Sequence, residues 1–308
     1  MHLYPNQNWG IITLKHSKVR MKFHRVYIEL TNICGLACTF CPPKILPAHT
    51  MSLSFFEHIL IQLKPYTKEL AYHIVGDPLV LSNLEAYLTL TCKHGFKVSL
   101  TSSGYFLENH DIQTLLHPAI KQVNISLNSF NKNALPLSFE AYMRPILNVC
   151  EQKKQMRPEV FINLRLWNLD EKQSEHAFNT MLFAYLEKHF NDSLPIKTPH
   201  PKSLRLDEKI LLHFDSYFEW PSLTSSHHSH GTCQGLDSHI GILADGTVVP
   251  CCLDKDGIVP LGNLHVSSLD EILSSQRVYA IHHGFKEGHC LETLCQKCTY
   301  KERFKEKK

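Results

Sequence analysis

The chain has 308 residues, of which 43% are hydrophobic and 20% charged, and its formal net charge is +3. That length suffices for one large α/β domain or for a core domain with a small appendage. So small a charge gives no general electrostatic pull toward nucleic acid or an anionic membrane, and no apolar run reaches the roughly 18 residues that span a bilayer.

Residues 1–21 read as an N-terminal extension. They contain no unbroken apolar stretch and no small-residue cleavage site, so no signal peptide is expected and the expected location is cytoplasmic. "VYIEL" at 26–30 reads as a strand that ends just before the first cysteines. "SLSFFEHILIQLK" has helical periodicity, with Ser52 or Ser54 as its N-cap. "ELAYHIVGDP" is a second strand, and "SNLEAYLTLTCKHG" a helix stopped by Gly95. "FKVSLTSSG" is a third strand, and "ENHDIQTLLH" a short helix ended by Pro118. "KQVNISLNSF" is a fourth strand, "SFEAYMRPILNVCEQKKQ" a helix despite Pro145, and "EVFINLRLWNL" a fifth strand. "DEKQSEHAFNTMLFAYLEKHF" is a long amphipathic helix, and "KSLRLD" at 202–207 a sixth strand. Strict alternation of strand and helix predicts a parallel sheet with right-handed crossovers. Near residue 210 the helical pattern fades while glycine, histidine and cysteine rise, which predicts a boundary there. The expected division is a core over 22–210, a cysteine-rich unit over 211–302 and a basic tail over 303–308.

Four of these strands keep one polar face, because successive side chains point to opposite sides. Tyr27, Glu29 and Thr31 oppose Val26, Ile28 and Leu30; Ser99, Thr101 and Ser103 oppose Val98 and Leu100. Asn124, Ser126 and Asn128 oppose Val123, Ile125 and Leu127; Asn163, Arg165 and Trp167 oppose Ile162, Leu164 and Leu166. Strands covered by helices on both faces are normally apolar throughout, and an unpaired Arg or Glu in a packed core is costly. The pattern therefore predicts a partial, laterally open (β/α)6 barrel whose lumen is wet or holds a polar ligand.

Eleven cysteines in a reducing compartment point away from disulfides and toward metal. Cys92 and Cys150 stand alone in helices and are expected to be buried, inert thiols. The loop "CGLACTFC" places Cys34, Cys38 and Cys41 at the C-terminal end of the first strand, the end that carries chemistry in parallel α/β folds. Three thiolates suit an iron–sulfur cluster; zinc, with His49 as fourth ligand, is the alternative. Further on, "HIGILADGTVVPCC" alternates around Asp245-Gly246, a hairpin signal that places Cys251 at its end. Cys233, Cys251, Cys295 and Cys298 suit a fully ligated cluster or a zinc site, with Cys252 and Cys290 left over. His227, His228 and His230 lie among Ser, Pro and Gly and read as a surface loop.

"CGLACTFC", including Phe40, resembles the Cys-x3-Cys-x2-Cys signature of the radical S-adenosylmethionine (SAM) enzymes. "VGDPL" at 75–79, "TSSG" at 101–104, "NISLN" at 124–128 and "LRLWN" at 164–168 resemble later segments of that family in the same order, with Asp77 where Glu is commoner. Cys233, Gly246 and Cys251, followed by Cys295 and Cys298, resemble the auxiliary-cluster domain of the SPASM and twitch enzymes; "LGNLHVSSLDEIL" at 261–273 resembles its linking segment. The resemblance implies a 4Fe–4S cluster on Cys34, Cys38 and Cys41 with one iron open to SAM. It implies a second, auxiliary 4Fe–4S cluster on Cys233, Cys251, Cys295 and Cys298. Gly76, Asp77, Ser103, Ser126 and Arg165 are the SAM contacts it implies. The activity it implies is reductive cleavage of SAM to a 5′-deoxyadenosyl radical, which abstracts a hydrogen atom from a small-molecule or peptide substrate. The electron comes from a donor such as flavodoxin or ferredoxin. The alternatives are an iron–sulfur electron carrier without catalysis and a radical SAM enzyme acting on nucleic acid, which the small net charge argues against.

Overall fold

The first parallel strand, β1 (Arg25–Ile28), is apolar on one face only: Val26 and Ile28 are fully buried, while Arg25 and Tyr27 are partly exposed. The computed structural model describes residues 21–167, 176–190, 194, 202–225 and 229–304. The extension over 1–20, the end of the fifth-strand segment at 168–169, the start of the expected long helix at 170–175, His227, His228 and the tail from 305 lie outside them.

After β1, helix α1 (Leu53–Leu63) begins at Ser52, whose hydroxyl accepts from Phe55 N. Strand β2 (Glu69–Tyr72), helix α2 (Leu84–Lys93) and strand β3 (Lys97–Ser102) follow. The expected helix at 108–117 shrinks to a 3-10 turn at Leu107–Asn109 and the short α3 (Ile112–Leu115), capped by Asp111. Strand β4 (Ile120–Ser126) runs into the one-turn α4 (Asn128–Asn131). Helix α5 (Phe139–Met156) tolerates Pro145, β5 (Phe161–Leu166) is the fifth strand, and α6 (His176–Phe190) is the described part of the long helix.

The sixth strand differs from expectation. Residues 203–207 do form a strand, β6 (Ser203–Asp207), but it pairs antiparallel at the sheet edge. The strand that joins β5 in parallel is β7 (Ile210–Phe214), the second arm of that hairpin. Alternation identifies a strand but says nothing about which neighbour it pairs with.

Beyond β7 come β8 (His239–Ile242) and β9 (Thr247–Val249), joined as the expected hairpin with Gly246 at φ +84°, then β10 (Gly262–Asn263). Helix α7 (Leu269–Leu273) carries a capping box of Ser268 and Glu271, and α8 (Gln276–Lys286) and α9 (Thr293–Gln296) complete the elements. The hairpin is not a separate layer. β8 pairs in parallel with β1, giving one ten-stranded sheet in the order β10-β9-β8-β1-β2-β3-β4-β5-β7-β6. The order does not close on itself, so the fold is an open, laterally unclosed α/β barrel.

The apolar strand faces pack under the helices. Val26, Ile28, Leu100, Val123, Leu164 and Leu212 are all within 1% of complete burial. The opposite faces carry a polar ladder: Asn124 Nδ2 donates to Thr101 Oγ1 (3.2 Å), and Asn163 Nδ2 donates to Asn124 Oδ1 (3.1 Å). Cys150 is buried as expected, whereas Cys92 is exposed. It lies one position past Thr91, the last residue of the buried stripe of α2. Among the described residues, no helix is long and apolar enough to cross a membrane.

Candidate active site

The loop that leaves β1 is closed at its base by Asn32, whose side chain donates to Pro47 O (2.7 Å) and accepts from His49 N (2.8 Å). Its tip docks on the segment after β4. Ala37 N donates to Asn133 Oδ1 (2.9 Å), Thr39 N to Lys132 O (3.2 Å), and Asn133 Nδ2 to Cys38 Sγ (2.9 Å). The Cys41 thiol, with help from Asn133, draws Cys38 down to about 6. The direction of that shift favours the thiolate, the form of cysteine that ligates metal.

Gly76 follows β2 at a point where no other residue fits, since a Cβ would lie 1.7 Å from the Thr31 carbonyl oxygen. Asp77 is buried, and both of its oxygens are engaged. Oδ1 accepts from Leu79 N (3.0 Å); Oδ2 accepts from Ser102 Oγ (3.0 Å), Ser103 N (2.8 Å) and Ser103 Oγ (2.6 Å). Its carboxylate thus braces the end of β2 against the end of β3. Ser126 and Arg165, from the ends of β4 and β5, face the same space, and the guanidinium lies 4.6 Å from the Trp167 ring centre. Arg165 has no ion-pair partner among the described residues. Burial and then its charge push the neighbouring His73 down to about 4.

Cys251 lies just beyond β9 and Cys298 beyond α9. Cys34, Cys38, Cys41, Cys233, Cys251 and Cys298 all line one cavity of about 450 Å³, together with Gly76, Asp77, Ser103, Ser126 and Arg165. Cys295 lines a smaller adjoining void, which it shares with Cys233, Cys251, Cys298 and Cys290. Burial, and then neighbouring thiols, hold Cys251 and Cys295 far above the usual thiol range. Of the two cysteines left over from the pattern, Cys290 is on the void, whereas Cys252 is on the main cavity wall near Tyr27.

Among the described residues, no three His, Cys, Asp or Glu side chains gather closely enough for a single ion. His49, the fourth ligand of the zinc alternative, is exposed and off the cavity wall. Thiols spread around a void suit a multi-atom inorganic core with thiolate ligands. His230, in the histidine run, is exposed and edge-on to His289.

Sequence patterning missed the rest of the wall. Tyr217, Phe218 and Trp220 lie in an irregular stretch with no periodicity, and Tyr300 in a terminal 3-10 turn. His73 and His239 lie on it too, the latter also pushed down to about 4 by burial and Arg25. The one available signal was the aromatic run "YFEW" at 217–220.

Two family models match this architecture, the radical SAM superfamily over residues 28–164 and the iron–sulfur cluster-binding domain SPASM over 233–299. The GTP 3′,8-cyclase of Mannheimia succiniciproducens is 21% identical over 330 residues, spanning 94% of this chain and 95% of the relative. Among solved structures, BtrN in complex with AdoMet and 2-DOIA superposes with a TM-score of 0.59 at 16% identity, over 91% of this chain and 94% of that one. The anSMEcpe structure with bound AdoMet and Kp18Cys peptide gives 0.53 at 15% identity, over 85% and 82%. Both share the fold. The chain is therefore a radical SAM enzyme, with a 4Fe–4S cluster and SAM as its cofactors and a SPASM iron–sulfur cluster-binding domain following its barrel.

Proposed function

We propose that this enzyme is an oxidoreductase whose substrate, a small molecule or a single side chain of a peptide, sits between two clusters. The observation that carries this reading is that Cys34, Cys38 and Cys41 border the same cavity as Cys233, Cys251 and Cys298, with Cys295 on the void that adjoins those three. Cys34, Cys38 and Cys41 hold the SAM-binding cluster; Cys233, Cys251, Cys295 and Cys298 hold an auxiliary 4Fe–4S cluster. When bound and reduced by a donor such as flavodoxin or ferredoxin, the first cluster and SAM supply a 5′-deoxyadenosyl radical that takes a hydrogen atom from the substrate. An auxiliary cluster held by Cys233, Cys251, Cys295 and Cys298 would supply an acceptor for the remaining electron, which favours oxidation over redox-neutral chemistry.

The chain's own residues orient these parts and exclude water. Gly76 lets the backbone after β2 approach β1, and Asp77 and Ser103 fix that turn beside SAM. Ser126 and Arg165 reach toward SAM from β4 and β5. Asp77 is the one carboxylate on the described wall and its oxygens are engaged, whereas Arg25 and Arg165 form no ion pair among the described residues. The wall therefore favours anionic groups, the SAM carboxylate at Arg165 and a carboxylate or phosphate of the substrate nearer Arg25. Trp167, Tyr217, Phe218, Trp220 and Tyr300 supply flat apolar surface for the rest. A cavity of about 450 Å³ is in the range of a small-molecule site. That one neighbour of the same fold was solved with 2-DOIA and another with a peptide supports both substrate classes. The barrel unit in this proposal includes β7, and the auxiliary unit begins after it.

Anaerobic reconstitution with iron, sulfide, dithionite and SAM tests the reading. The expected product is 5′-deoxyadenosine. Full iron loading with none formed would favour a simple electron carrier, which needs no polar lumen.

A further inference from the structure

Asn133 lies two residues past α4 and 95 positions from Cys38, yet all its polar atoms meet the cluster loop and its support. Oδ1 accepts from Ala37 N (2.9 Å), while Nδ2 donates to Ser129 O (2.8 Å) and to Cys38 Sγ (2.9 Å). The amide cannot be turned over. Flipped, its oxygen would face the Ser129 carbonyl and the Cys38 sulfur, and its NH2 would face the Ala37 N–H. Nδ2 is a donor only, so the sulfur is the acceptor. Cys38 is 8% exposed, so little water competes for this bond.

We propose that Asn133 is a positioning residue that raises the reduction potential of the SAM-binding cluster through Cys38. The proposal rests on the reading that Cys34, Cys38 and Cys41 hold that cluster. A donor aimed at a ligand sulfur stabilises the more negative, reduced form of a cluster more than its oxidised form, and hydrogen bonds to the sulfurs are among the terms that set cluster potentials. The same residue fixes the loop through Ala37, so it joins the cluster loop to the end of β4, the strand that brings Ser126 to the cavity.

Two variants separate bracing from tuning. Asn133→Asp keeps an oxygen for Ala37 N but presents a second, charged oxygen where the donor stood. Asn133→Ala removes both. The reconstituted holoenzyme is titrated potentiometrically, following the part of the reduced-cluster EPR signal that changes on adding SAM. In N133D the equilibrium constant for reduction falls at least tenfold, or 59 mV for one electron. In N133A it falls in the same direction by less, and both keep the wild-type iron content. Unshifted potentials at full iron overturn the proposal. Iron loss from N133D together with an unshifted N133A also overturns it, leaving a brace and nothing more. A wild type with no SAM-responsive signal would instead overturn the cluster assignment itself, which distinguishes the two failures.

Discussion

Glu29 is 3% exposed and joins three strand ends: Oε1 accepts from Val75 N (3.2 Å) beyond β2, and Oε2 from Ala244 N (3.3 Å) beyond β8. Burial raises its carboxyl to about 7, from 4.5 in a model peptide. A carboxyl whose folded value lies above its unfolded one favours folding only while protonated. Its contribution is complete below about 4.5 and is lost as pH rises through about 7. His73 and His239 act in the opposite sense: held near 4, they cost stability as pH falls below the ordinary histidine range. The difference between wild type and Glu29→Gln isolates the carboxyl. In anaerobic denaturant titrations, the variant gains on the wild type by up to about 3 kcal/mol between pH 5 and 8; a pH-independent difference would contradict the assignment. Gly76 gives a second test at this scale. Gly76→Ala drives a Cβ into the Thr31 carbonyl, at 1.7 Å, and should cost about 3 kcal/mol or weaken SAM binding by moving the turn.

At the scale of elements, the hairpin after the barrel is part of the main sheet. Ile240 of β8 is fully buried and pairs with Val26 of β1. The tie is reinforced outside the sheet, where Leu269 N at the start of α7 donates to Gln62 Oε1 of α1 (2.6 Å). Ile240→Ala should therefore lower the stability of barrel and hairpin together, by about 2–4 kcal/mol, in one denaturation transition followed by tryptophan fluorescence and by far-UV circular dichroism. Two separate transitions would contradict a shared sheet. Period-2 alternation made the polar faces of β1, β3, β4 and β5 legible in the sequence, and Asp245-Gly246 the hairpin, because both are local signals. The antiparallel placement of β6 and the seating of β8 on β1 were not legible, because strand partners are chosen by distant packing. Asn133 was hidden for the same reason: its value lies in a contact 95 residues away. Cys34, Cys38 and Cys41 were legible as a group, since their short spacing keeps them on one loop, and that loop lines the cavity.

At the scale of the whole molecule, the open sheet leaves a cavity whose wall joins the first loop of the barrel to the cysteines beyond β7. Lys255 spans the two, its Nζ donating to Pro43 O (2.8 Å) beside the cluster loop. Two distinct centres are proposed to face one another there. The most direct measurement is iron content, with SAM-dependent 5′-deoxyadenosine, across wild type, a triple Cys34, Cys38 and Cys41→Ala variant, and a quadruple Cys233, Cys251, Cys295 and Cys298→Ala variant. About eight irons are expected in the wild type and about four in each variant, with SAM cleavage abolished in the triple variant. A wild type with about four irons, or a triple variant that still cleaves SAM, would contradict the account.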